Sequence, residues 1–147
     1  MAGEDRYRLA AVRDVRARDE KSRKAELSSA VGDARETQAK LDAAHARTKA
    51  AQDALGAAQT ARETQLSTGA TTTQLARADQ FIARRRRELA QTIAEEARCE
   101  ATHTERQGTV DAARLVLARA RADREVIERH FERWREARRK LADRRED

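Results

Sequence analysis

Ser67-Thr-Gly-Ala-Thr-Thr-Thr73 is the one clear interruption in this 147-residue chain. Gly69 tolerates a positive φ, and threonines are poor helix formers but good N-caps. On either side the chain reads as helix, from about residue 5 to 66 and from about 74 to 144, with the bend over 67–73. Thr73 is the expected N-cap of the second helix, with Ala76 and Arg77 in its first turn. Gly32, Gly56 and Gly108 each cost about 1 kcal/mol relative to alanine, but with no proline anywhere in the chain they need not end a helix.

Working outward, composition favours helix over every alternative. Ala, Glu, Lys, Leu and Arg supply 89 residues, whereas Leu, Ile, Val and Phe together number 21, of 147. So few large apolar side chains cannot fill a compact core, and so few β-branched and aromatic residues cannot build a sheet. The net charge of +6 is too small for its length to enforce disorder. One cysteine excludes an internal disulfide and suits a reducing compartment. No apolar run approaches the 18–20 or so residues needed to cross a bilayer. The opening Met1-Ala-Gly-Glu-Asp-Arg6 lacks the apolar segment of a secretory signal, so the chain is expected to be soluble and cytoplasmic.

A seven-residue repeat runs through the second helix. One position holds Leu75, Ile82, Leu89, Glu96, His103, Val110, Leu117, Arg124 and Phe131. Its companion holds Ala78, Arg85, Thr92, Cys99, Arg106, Ala113, Ala120, Ile127, Trp134 and Leu141. The register never resets, as a left-handed coiled coil requires. The first helix carries Leu27, Ala34, Leu41, Thr48 and Leu55, with Ala30, Thr37, Ala44, Ala51 and Ala58 as companions. Leu9, Val12 and Val15 extend this stripe in a different frame.

Neither stripe can be hidden alone, so the helices are expected to fold back into a long antiparallel two-helix coiled-coil hairpin. A bend near Ala70 makes facing residue numbers sum to about 140. Leu9 and Val12 then meet Phe131 and Ile127, while Glu96, His103 and Arg106 oppose Ala44, Thr37 and Ala34 in a polar stretch. An arm of 60 residues at 1.5 Å each spans about 90 Å. The two ends are basic, +3 over residues 1–25 and +4 over 112–147. Arg84-Arg-Arg-Arg87 adds a basic run below the bend.

No catalytic constellation stands out: there is no phosphate loop, G-x-S-x-G or H-E-x-x-H. Cys99 and His103 share a helix face but make only half a metal site, so neither metal nor cofactor is expected. His130 reads as a surface histidine beside Phe131 and Trp134. Trp134 and Leu141, with Val126 adjacent, lie where the N-terminal arm runs out, and an apolar strip rimmed by arginines often marks a partner site.

Three segments give the chain a family likeness: Tyr7-Arg-Leu-Ala-Ala-Val-Arg13, Gln74-Leu-Ala-Arg-Ala-Asp-Gln-Phe-Ile-Ala-Arg84 and Arg124-Glu-Val-Ile-Glu-Arg-His-Phe-Glu-Arg-Trp134. With two long helices, one break and basic ends, the chain resembles the FliJ/YscO (SctO) stalk proteins of type III secretion systems. The resemblance implies a non-enzymatic protein at the inner-membrane export apparatus, whose terminal end enters a hexameric secretion ATPase and whose bend faces the export gate. It implies export chaperones as further partners of some members. The ATPase contact then falls on Arg6, Arg8, Arg13, Arg16, Arg129, Arg133, Trp134, Arg135, Arg138, Arg139 and Leu141. The gate contact falls on Phe81, Arg84, Arg85, Arg86 and Arg87. Two other readings remain open from the residues alone: a basic hairpin that grips nucleic acid, and a coiled coil that assembles further copies through its alanine-rich seam.

Overall fold

Long runs of alanine, arginine and glutamate form helix because they lose little side-chain freedom in it. In the computed structural model, which describes residues 6–146, they form two helices, α1 (Ala10–Ser67) and α2 (Thr72–Glu146). The helices pack against each other as an all-α hairpin, and no strand occurs among the described residues.

The bend is built by two capping motifs. Gly69 has φ +89°, and at the end of α1 Ala70 N–H donates to Gln65 C=O (2.9 Å) while Gly69 N–H donates to Leu66 C=O (3.4 Å). This is a Schellman termination, with glycine at the left-handed position. α2 opens with a reciprocal capping box: Gln74 N–H donates to Thr71 Oγ1 (3.2 Å), and Thr71 N–H donates to Gln74 Oε1 (2.9 Å). Thr71, rather than Thr73, is therefore the N-cap, because only Thr71 has a glutamine three residues on. The start of α1 also differs from expectation. It begins at Ala10 rather than near residue 5, after a turn in which Ala10 N–H donates to Tyr7 C=O (3.2 Å). The turn accompanies burial of the Tyr7 side chain against α2.

The chain groups into two compact units, one made of the residues up to Gly32 and from Gly108 onward, the other of Asp33–Gln107. In the first, the terminal unit, Tyr7, Ala30, Val110, Leu117 and Ala120 are buried and Ile127, Phe131 and Trp134 half-buried. Arg16 meets Asp123 (3.1 Å), numbers that sum to 139. In the second, the bend unit, Ala34, Thr37, Ala44, Thr48, Ala58 and Ile82 form the buried line. Thr37 meets His103 (2.9 Å), numbers that sum to 140, as the fold-back at Ala70 requires.

The expected apolar stripe at the N-terminal side fails as well. Val12 and Val15 are exposed, Val15 by 59%, and do not extend the seam. The seven-residue frame of Leu27 and Ala30 continues unchanged to the N-terminal side, through half-buried Arg23, Glu20, Arg16, Arg13 and Leu9. Arginine stems can cover an apolar partner while their heads reach an acid. Here that serves better than a frame shift, because α2 offers Asp123 and Glu128 at the same levels.

Candidate interaction surfaces

In the terminal unit, Tyr7 is the centre of an aromatic cluster. Its ring lies 5.1 Å from Phe131, edge to face, and 5.2 Å from Trp134, while Phe131 and Trp134 stack at 5.8 Å. Tyr7 Oη and His130 Nδ1 are hydrogen-bonded at 2.8 Å, which satisfies a phenol that is only 7% exposed. Arg13 covers the open side of Phe131, its guanidinium 4.1 Å from the ring centroid, and its Nε donates to Glu128 (2.8 Å). That bond holds the Glu128 carboxyl below its ordinary range. Glu20 receives Arg124 (2.7 Å) and Arg121 (3.7 Å), and the Arg124 bond lowers its pKa in the same way.

The expected ATPase-contact residues all belong to this unit, but they are not equally available. Arg13 and Arg16 are committed to Glu128 and Asp123 on α2. Arg129 pairs with Glu125 (3.4 Å), Arg135 with Glu132 (2.8 Å), and Arg133 Nε donates to the Arg129 carbonyl (3.3 Å). Trp134 is half-buried under Tyr7, half-buried Arg138 has a partner, and Arg6, Arg8, Arg139 and Leu141 are exposed. Val126 is 64% exposed, so the apolar strip beside the arginines is Val126 and Leu141 without Trp134. A shallow cleft lined by Glu20, Arg121, Arg124, Glu125, Glu128 and Arg129 alternates acid and base, and offers no field of one sign to a ligand.

In the bend unit the expected gate-contact residues divide in two. Arg85 lies on the seam side, half-buried, bonded to Glu88 (2.7 Å) and 4.8 Å from the Phe81 ring. Arg84, Arg86 and Arg87 are exposed, and Phe81 is 40% exposed. The polar stretch of the seam is organised. Thr37 spends its one hydroxyl proton on the Ala34 carbonyl (3.0 Å), so His103 Nδ1–H donates to Thr37 Oγ1. His45 Nδ1–H donates to Glu96 (2.8 Å) and keeps that carboxyl below its usual range. Arg106 is exposed and so leaves the seam. Cys99 is half-buried, and among the described residues no three His, Cys, Asp or Glu side chains converge as a metal ion needs.

Sequence reasoning missed Tyr7 as a core residue and Glu20 as the acceptor of two arginines. Stepping back by sevens from Leu27 finds Glu20 and Arg13 at once. Nothing in the periodicity marks Tyr7, which precedes the helix. Among the described residues no helix is long and apolar enough to cross a membrane. No known family, no curated protein and no solved structure matches the chain.

Proposed function

We propose that the chain is a non-catalytic stalk or adaptor of a type III secretion export apparatus, flagellar or injectisome, linking a hexameric ATPase to the export gate. The observation that supports it most is the construction of the terminal unit. Tyr7, Phe131 and Trp134 clamp the N-terminal arm to α2, and α2 then continues as helix to Glu146 with Arg135, Arg138, Arg139 and exposed Leu141. A firm basic plug with an apolar residue at its end suits a negatively lined pore, where charge steers docking. The arginines most available for that contact are Arg6, Arg8 and Arg139. Export chaperones are further partners in this reading, and the protein acts in the cytoplasm at the inner face of the membrane.

The test is stimulation or oligomerisation of the cognate ATPase by the added protein. Arg8→Glu with Arg139→Glu is expected to abolish it, whereas Cys99→Ser leaves it intact. Stimulation that survives the double reversal assigns the contact to the wrong end.

A further inference from the structure

Beyond Arg85, the bend unit carries arginines that its own acids never reach. Arg77, Arg84 and Arg98 each stand two residues after a seam position, at Leu75, Ile82 and Glu96, with Gln91 filling the same place after Leu89. This puts them on one outer line of α2, Arg77 and Arg84 about 10.5 Å apart and Arg84 and Arg98 about 21 Å apart. Arg87 lies beside that line, and all four are exposed.

Along α2 the acids within reach of them are few, and those few are engaged elsewhere. Helix neighbours three and four residues away are the ones a side chain can meet. For Arg77 these are Thr73, Gln74, Gln80 and Phe81; for Arg87 they are Ala83, Arg84, Ala90 and Gln91. Neither set holds an acid. Arg84 has Glu88, which is bonded to Arg85 at 2.7 Å; Arg98 has Glu95, whose partner is Arg47 at 3.8 Å. The remaining acids between Thr72 and Arg98 are Asp79, paired with Arg62, and Glu96, paired with His45. Every acid of α2 between Thr72 and Arg98 is thus drawn by another base, and Arg77, Arg84, Arg87 and Arg98 form no ion pair among the described residues.

We infer that this line, Arg77, Arg84, Arg87 and Arg98, is a docking face for an anionic lipid surface. A row of guanidinium groups along one helix face can meet a plane of headgroup phosphates without a fixed register. Phe81, 40% exposed beside Arg77 and Arg84, supplies the aromatic that sits well at the headgroup level. A nucleic-acid strand would need stacking platforms, and Phe81 is the single aromatic here, already in contact with Arg85. A bound surface gains about fivefold in partitioning for each basic residue brought to it, and loses the gain in salt. This inference does not rest on the ATPase contact, whose residues belong to the other unit, and it gives to lipid the Phe81, Arg84 and Arg87 that the family likeness assigns to the export gate.

The experiment is co-sedimentation of the full chain with vesicles of neutral lipid and of neutral lipid carrying about 30 mol % phosphatidylglycerol, at low and high salt. Binding to the anionic vesicles alone, weakened by salt, is expected. Arg84→Gln with Arg87→Gln should reduce it about 25-fold, while Lys24→Gln with Arg114→Gln, equal in charge, should not, both variants keeping the parent's circular dichroism. Equal binding to neutral vesicles, no binding at low salt, or equal loss in both variants overturns the inference. So does tighter, Arg84- and Arg87-dependent binding to a duplex or single-stranded oligonucleotide, which would move the face to nucleic acid.

Discussion

The terminal unit and the bend unit use the same seven-residue repeat to reach different interiors. The first buries Val110, Leu117 and Ala120 and closes with three aromatic rings. The second buries mainly alanine and threonine, with Ile82 as its largest buried residue, and crosses its middle with Thr37–His103 and His45–Glu96 contacts. An alanine seam lets helices approach closely but removes little apolar area from water, and polar seam pairs return only part of their desolvation. Register can therefore be specified along the whole repeat while cohesion is concentrated at one end.

The largest expected effect tests that contrast directly. Leu117→Ala, at a residue 4% exposed, should lower the unfolding free energy by about 3 kcal/mol, and Leu41→Ala, half-buried in the bend unit, by about half as much. Equal losses in urea titrations would mean that the two interiors contribute alike. Hydrogen exchange sharpens the same point: amides of residues 96–106 should exchange about tenfold faster than those of 110–127. Next come the glycines. Gly56→Ala and Gly108→Ala meet nothing within 4 Å and should each add about 1 kcal/mol, whereas Gly69→Ala, forced to hold φ +89°, should cost about 1 kcal/mol.

Acid gives a smaller change for any one group. Glu20, Glu96 and Glu128 have folded pKa values below the 4.5 of a free glutamate, so their contribution is complete above that pH and is lost as pH falls through the depressed values. The melting temperature should hold steady down to about pH 5 and then drop. The smallest effect is Val15→Ser, within about 0.5 kcal/mol, since that side chain left the seam. A large loss there would restore the frame shift that the packing of Arg13 and Arg16 replaces.

Much of the fold was legible because the repeat is arithmetic. Ile82, Val110 and Leu117 recur at multiples of seven, and their burial, like the half-burial of Leu75, follows from that spacing. Gly69 marked the bend because only one short stretch needed a left-handed residue. What could not be read depended on tertiary choice. Valine at 12 and 15 looked like core by hydropathy, yet Arg13 and Arg16 took the seam because acids and a phenyl ring waited opposite. Of the expected contact residues, the pattern located the arginines, but not which were already occupied by Glu128, Asp123 or Glu88. That depends on the partner helix, and seven-residue spacing carries no record of it.

Tyr7 and its hydrogen-bond partner His130 are separated by 123 residues, whereas Arg62 and Asp79 across the bend are separated by 17. During synthesis at about 5–20 residues per second, the tyrosine emerges on the order of ten seconds before the rings that will cover it exist. Over that interval the capped bend has every partner it needs close by in the chain, so maturation runs from the turn outward and the aromatic clasp shuts last. A ribosome that stalls before residue 130 leaves a nascent chain whose Tyr7 has no ring to cover it.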